Sequence, residues 1–277
     1  MISRSRSVLP GFRITLGFTI AYLAVIVLIP LTGLPVRTAS MGWEAFWTTV
    51  TDPRVVASYK LTLGTAFFAA CVNAVFGLLA AWVLVRYSFP GRRIVDALVD
   101  LPFALPTAVA GITLTTLYAP RGLLGEPLEK LGFKVAFTPL GIVVALVFIG
   151  LPFVIRTLEP VIEDLSAEIE EAATSLGASR WQVLRRVILP YLYPAWLTGF
   201  ALAFARAIGE YGSVVLIGGN IPRETQVASQ YIQQQIEIDR PVNAAAVSVA
   251  LLAIAFATLF VLRLLSARSQ RREEEAA

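Results

Sequence analysis

Arg206 and Glu210 stand four residues apart in an apolar run, with Gly209 between them and Ser213 one turn further on. At i and i+4 of a helix the two charges share a face. Each would cost about 2.5 to 3.5 kcal/mol at the centre of a membrane-spanning helix, so both must face protein or water. Two chemistries fit the pair: it fixes helix packing, or Arg206 offers positive potential to an anion in transit while Glu210 limits how tightly that anion is held. Gly209, Gly212, Gly218 and Gly219, with Ser213 and Asn220, could bring backbone N–H groups to such a path, and flexibility or tight packing explains them equally well. Gly199, Ala203 and Ala207 form a ridge of small residues suited to close helix packing. Catalytic chemistry has no such candidates. The 277 residues include no histidine and one cysteine, Cys71, in an apolar run that reads as a packed hydrophobe. No paired carboxylates, metal ligands or nucleophile–base pairs gather on one segment, so no catalytic residue, metal or cofactor is expected on this chain.

The elements that must position these residues are set by composition. A chain that is 57% hydrophobic and 15% charged is oilier than one soluble core requires, and the expected fold is an all-α integral membrane protein. Crossing the hydrocarbon takes about 20 residues. Segments near 14–33, 61–85, 94–118, 138–157, 191–217 and 243–265 qualify, forming a single transmembrane domain over 1–277. The third carries Asp96, Asp100, Pro102 and Pro106, which predicts kinks, and its two aspartates read as acids of a solvated helix start, with a gating role as the alternative. The first follows Arg4, Arg6 and Arg13 but is too long for a cleaved signal and ends without a small-residue cleavage site. With the N-terminus inside, fourteen Lys and Arg fall on inner segments and eight on outer ones, which places both termini in the cytoplasm. These basic residues form no stripe of the kind nucleic acid requires, and the tail RSQRREEEAA reads as a solvated, disordered end.

The longest inner loop, 158–190, is polar where its neighbours are oily. Ser166 is placed to cap a helix whose first turns carry Glu168, Glu170 and Glu171 at the positive end of the dipole. Ile169, Ala172, Ala173 and Leu176 follow at i, i+3, i+4 and i+7 as one apolar stripe. Gly177 supplies the left-handed residue that ends a helix. Ser179 and Gln182 form a capping box that starts another, with Trp181, Leu184 and Ile188 on one face. Pro190 marks the entry to the fifth span. The loop is therefore a helical elbow, which lies on a bilayer surface or docks a cytoplasmic partner; its glutamates gain little from an anionic membrane.

The spacing E-A-A, three residues, G, nine residues, then an aliphatic-x-L-P resembles the cytoplasmic loop motif of membrane subunits of ATP-binding-cassette importers. It is matched by Glu171, Ala172, Ala173, Gly177, Val187, Leu189 and Pro190, with valine where the pattern more often has isoleucine. The likeness extends over nearly the whole chain and narrows to the sulfate/thiosulfate permeases, T- or U-type. It is carried by VLPGF (8–12), RYSFPGRRIVDALVDLPFALPTAVAG (86–111) and FARAIGEYGSVVLIGGNIP (204–222). This resemblance implies the type I importer (MetI-like) permease fold with six transmembrane helices, in a prokaryotic inner membrane. It also implies that the elbow is a coupling helix seated on an ATPase. The partners so implied are two ATPase subunits, a second homologous permease forming a heterodimer, an extracytoplasmic sulfate-binding protein and the lipid bilayer. ATP would bind the partner, since this chain has no G-x-x-x-x-G-K-[ST] phosphate loop.

Three other readings stand beside it. A molybdate or tungstate permease shares a related arginine, glycine, glutamate segment but typically lacks the extra first span. A secondary anion transporter would use Arg206, Glu210 and the kinked third span, yet it leaves the elbow unexplained and no clear inverted repeat is visible. A membrane enzyme would need a site that the residues do not assemble.

Overall fold

The computed structural model describes residues 12–274; Arg4, Arg6, positions 8–11 of the VLPGF stretch and residues 275–277 lie outside them. Among the described residues every regular element is helical. Helices α1 (Phe12–Leu23) and α2 (Ile29–Ala39) are joined through a π-turn at Ala24–Leu28, and α3 (Trp43–Val50) is short and aromatic. Next come α4 (Pro53–Arg86), α5 (Arg92–Val99), α6 (Leu101–Ala104), α7 (Thr107–Tyr118) and α8 (Gly125–Lys130). Helix α9 (Pro139–Asp164) leads to α10 (Ala167–Ser175). Helix α11 (Arg180–Val183) runs through a second π-turn, Leu184–Ile188, into α12 (Leu189–Ile208). The chain closes with α13 (Gly212–Gly218), α14 (Ala228–Glu237) and α15 (Pro241–Glu274).

Five of these helical runs are long and apolar enough to cross a membrane. The remaining expected span, 94–118, is not merely kinked but divided into α5, α6 and α7. Pro106 disfavours helical backbone at Leu105, which is extended at φ −85° and ψ 133°. The expected fifth span, 191–217, is likewise divided at Gly209–Tyr211. Helix α9 persists to Asp164, and a continuous helical run covers Arg180–Ile208, so the elbow proper occupies only 165–179 of the expected loop 158–190. Val187, Leu189 and Pro190 therefore lie in the elbow's second helix where it runs unbroken into the fifth span. The Leu189 N–H reaches back five residues to the Leu184 carbonyl, and this widened turn precedes Pro190, which has no N–H to offer the ladder. The C-terminal tail, expected to be disordered, continues the last helix through Glu274.

Helices α4, α9 and α12 form the core, and small residues set how closely they approach. A Cβ on Gly77 would lie 2.7 Å from Val154 Cγ1, one on Gly199 would lie 3.0 Å from the Val154 Cα, and one on Gly150 would strike the Asn73 amide. Ala203 and Ala207 of the predicted ridge are buried there, beside Phe204, Ile155 and Leu158. Helix α14 enters from one end of the bundle and lies along α4. Its Ala228 N–H donates to Thr62 Oγ1 at 2.9 Å, while Arg54, eight residues earlier on α4, donates to Gln234 at 2.6 Å. At 1.5 Å per residue the two tie points are about 12 Å apart, so the first turn of α14 reaches into the bundle.

Gly199→Leu should overpack the α9–α12 crossing and lower stability by about 1 to 3 kcal/mol, read as a lower thermal unfolding midpoint in detergent. Gly64→Leu, where an added Cβ meets nothing within 4 Å, should leave the midpoint unchanged.

Candidate functional site

The apolar run that holds Arg206 and Glu210 is two helices and a turn. Helix α12 stops at Ile208, and α13 restarts at Gly212. Arg206 Nη1 lies 2.7 Å from Glu210 Oε2, and Glu210 Oε1 accepts from the Ser213 N–H and the Ser213 hydroxyl, both at 3.0 Å. The Glu210 side chain is 2% exposed and that of Arg206 34%. A carboxylate thus sits at the positive start of α13 with both oxygens engaged, which is how a buried charge is tolerated here. Among the described residues Arg206 engages only Nη1, which leaves the N–H groups on Nε and Nη2 available.

Two further elements meet this turn. The Ser229 hydroxyl of α14 donates to the Glu210 carbonyl at 2.8 Å. Gly212 lies against Thr107, where a Cβ would strike Thr107 Oγ1, and a Cβ on Gly111 would lie 2.7 Å from the Ser213 Cα. The divisions of the third and fifth spans therefore abut, and the first turns of α7, α13 and α14 converge on one region. Discontinuous helices whose ends meet inside a bundle present backbone dipoles to a polar solute that hydrocarbon would otherwise exclude. Arg206, Gly209, Glu210 and Ser213 all lie at this junction. Gly209 has open space around it and an ordinary backbone, so neither crowding nor a left-handed turn calls for glycine there.

The elbow residues fall into two sets. Gly177 has φ 86°; its N–H bonds the Thr174 carbonyl at 2.9 Å and the Ala178 N–H bonds the Ala173 carbonyl at 3.1 Å, a left-handed helix end that suits glycine. Ser166 caps α10 through the Glu168 N–H, and the Ser179–Gln182 capping box is closed on both sides. Ala173 and Val187 pack against the core, with Ala178 and Leu184, and Leu189 is half-buried. Glu171, Ala172 and Pro190 face outward, with Leu176 89% and Trp181 65% exposed beside them. Apart from Ala173, the apolar stripe Ile169, Ala172 and Leu176 therefore does not seal against its own chain. It is free for another surface.

Two arginines that sequence reading treated only as topological charges hold this end together. Arg86 Nη2 donates to the Leu165 carbonyl at 3.0 Å and to Glu170 at 2.7 Å, and its guanidinium lies over the Trp82 ring. Asp96 and Asp100, expected as solvated acids, each lie 2.7 Å from Arg156 of α9. Their i, i+4 spacing was the available signal; nothing local in the sequence marks Arg86.

Residues 73–273 match the family described as binding-protein-dependent transport system inner membrane component. The chain is similar to the sulfate transport system permease protein CysT of Escherichia coli (strain K12), 50% identical over 269 residues that cover 97% of each chain. The CysT of Salmonella typhimurium (strain LT2) is 49% identical over 269 residues with the same coverage. In fold the chain is similar to a crystal structure of a bacterial ABC transporter involved in the import of the acidic polysaccharide alginate. That likeness has a TM-score of 0.76 at 18% identity, covering 93% of this chain and 95% of that one.

Glu210→Gln should leave Arg206 without a counter-charge and weaken the cap on α13, with a loss on the order of 3 kcal/mol. Thermal unfolding of the two single variants and of Arg206→Gln with Glu210→Gln forms a double-mutant cycle. The double variant should lose less than the sum, whereas strict additivity would show that the pair does not act together.

Proposed function

The chain belongs to the family of binding-protein-dependent transport system inner membrane components, and from that premise we propose that it is the membrane-spanning subunit of an ATP-binding-cassette importer for sulfate or thiosulfate. The observation that carries this reading is the elbow, a capped helix pair with Leu176 and Trp181 in the open. Two cytoplasmic ATPase subunits bind the ATP, and this subunit receives their motion. A second homologous permease completes the membrane part, and an extracytoplasmic binding protein delivers the anion. The resemblance to sulfate permeases across 97% of the chain supports sulfate over molybdate.

The fold makes the elbow an effective place to push. Helix α9 ends at Asp164 just before it, and the helical run Arg180–Ile208 begins just after it. That run has 29 residues, about 43 Å at 1.5 Å each, and it ends at the Gly209–Tyr211 turn. Docking and the junction are therefore the two ends of one rod. ATP-driven closure of the ATPase pair displaces the elbow, the rod carries the displacement to the turn, and the junction of α7, α13 and α14 opens to one side or the other. Arg206, through Nε and Nη2, is the group placed to meet the anion there, while the Ser213 hydroxyl is committed to Glu210. Glu210 keeps the turn folded.

Vesicles containing this subunit, its paralogue, the ATPase and the binding protein should accumulate labelled sulfate only with internal ATP. Uptake driven by an ion gradient without ATP would instead make the protein a secondary transporter. Leu176→Asp should weaken ATPase retention on purification by on the order of tenfold, as loss of a central apolar interface contact does, without unfolding the permease because its own chain does not cover Leu176. Unchanged retention would remove the docking role.

A further inference from the structure

The Arg156 guanidinium of α9 makes five hydrogen bonds. Nε and Nη2 grip both oxygens of Asp100 at 2.8 and 2.7 Å. Nη1 bonds Asp96 Oδ1 at 2.7 Å and Glu159 Oε2 at 2.6 Å, and Nη2 also bonds the Asp96 carbonyl at 3.0 Å. Asp96 lies on α5 and Asp100 caps α6, so one side chain fastens both short helices to α9. The apolar support beside it includes one aromatic contact, Phe103 edge-on to Phe153 at 5.1 Å. Breaks in the helical backbone flank the fastened segment. Gly91, at φ 85°, precedes α5, and the extended Leu105 and Pro106 follow α6.

Position gives this grip its meaning. Along α9, Arg156 lies eight residues before Asp164, where the chain enters the elbow. Beyond Pro106, α7 starts at Thr107, which packs against Gly212 of the junction. We infer that Arg156 is a positioning residue for transport: by clamping α5 and α6 to α9 it carries elbow motion to the α7 side of the junction, while α12 carries it to the α13 side. This inference rests on the importer reading. An isolated ion pair at this exposure adds little to stability, since Asp96 and Asp100 are about half exposed, but a forked grip on two helices fixes their geometry. With the grip lost, α9 and α12 still follow the ATPase while α5 to α7 lag. ATP hydrolysis then proceeds with poor uptake.

Lysine keeps the charge of Arg156 but cannot reproduce the fork. In reconstituted vesicles, Arg156→Lys and Asp100→Asn should therefore lower sulfate taken up per ATP hydrolysed by about tenfold, with the ATPase still co-purifying. The charge exchange Arg156→Asp with Asp100→Arg should recover a large part of that ratio, because it rebuilds one α6–α9 pair. Uptake that falls only in step with the amount of assembled complex, or an unchanged ratio in Arg156→Lys and Asp100→Asn, would overturn the clamp and leave the importer reading intact. Wild-type vesicles that take up no sulfate under ATP would overturn the importer reading, and the clamp with it.

Discussion

The Glu210 carboxylate is the group on which the interior of this bundle depends. A helix that stops inside a packed bundle exposes carbonyls at one end and N–H groups at the next start, with little water to satisfy them. At Gly209–Tyr211 the chain stops and restarts, and Glu210 answers the Ser213 N–H and hydroxyl on one side and Arg206 on the other. Ser229 then engages the Glu210 carbonyl, which draws α14 into the same place. The third span can divide beside it because Gly111 and Gly212 allow α7 and α13 to touch along their backbones. A break in one helix is thus accommodated by a break in its neighbour. Neither would be tolerable against lipid.

The elbow follows a different logic, since it gains from being incomplete. Its caps, its left-handed Gly177 and the Arg86 tether make it rigid without any partner, while Leu176 and Trp181 remain uncovered. A rigid, preformed surface loses little conformational freedom on docking, so most of the contact energy survives as affinity. In the proposed importer, rigidity serves transmission as well. The π-turn at Leu184–Ile188 lets the run from Arg180 pass Pro190 without stopping, and a stop there would have put a hinge between the dock and the junction.

Much of this was legible in the residues. Composition and spacing carried the helical membrane fold, and side-chain chemistry carried the caps at Ser166, Ser179 and Gln182 and the left-handed Gly177, because each rests on interactions within six residues. The small-residue ridge Gly199, Ala203, Ala207 was equally visible as a spacing. The breaks were not. Pro102 and Pro106 signal a bend, but whether a bend becomes a division depends on what packs against it, and Gly212 is a hundred residues away in sequence. The division at Gly209–Tyr211 lacks even a proline. Arg86 and Arg156 were hidden for the same reason, since their partners Glu170, Asp96 and Asp100 are brought to them only by the packing of separate helices.

The order of the charges also has a consequence for an anion. In an uninterrupted helix, arginine four residues before glutamate is the weaker arrangement, because each charge opposes the nearer end of the dipole. Here the helix ends at Ile208, Glu210 lies beyond it at the positive start of α13, and Arg206 falls in the last turn of α12, where cations are favoured. Both charges are therefore in their preferred field. On the proposed path an isolated arginine would attract a dianion at 4 Å by about 8 kcal/mol at an effective dielectric near 20. Glu210, buried and 2.7 Å from Arg206, offsets most of that field at a distance while leaving Nε and Nη2 to form directed hydrogen bonds at close range. A transport path needs that combination: recognition by geometry, with little net charge to delay release.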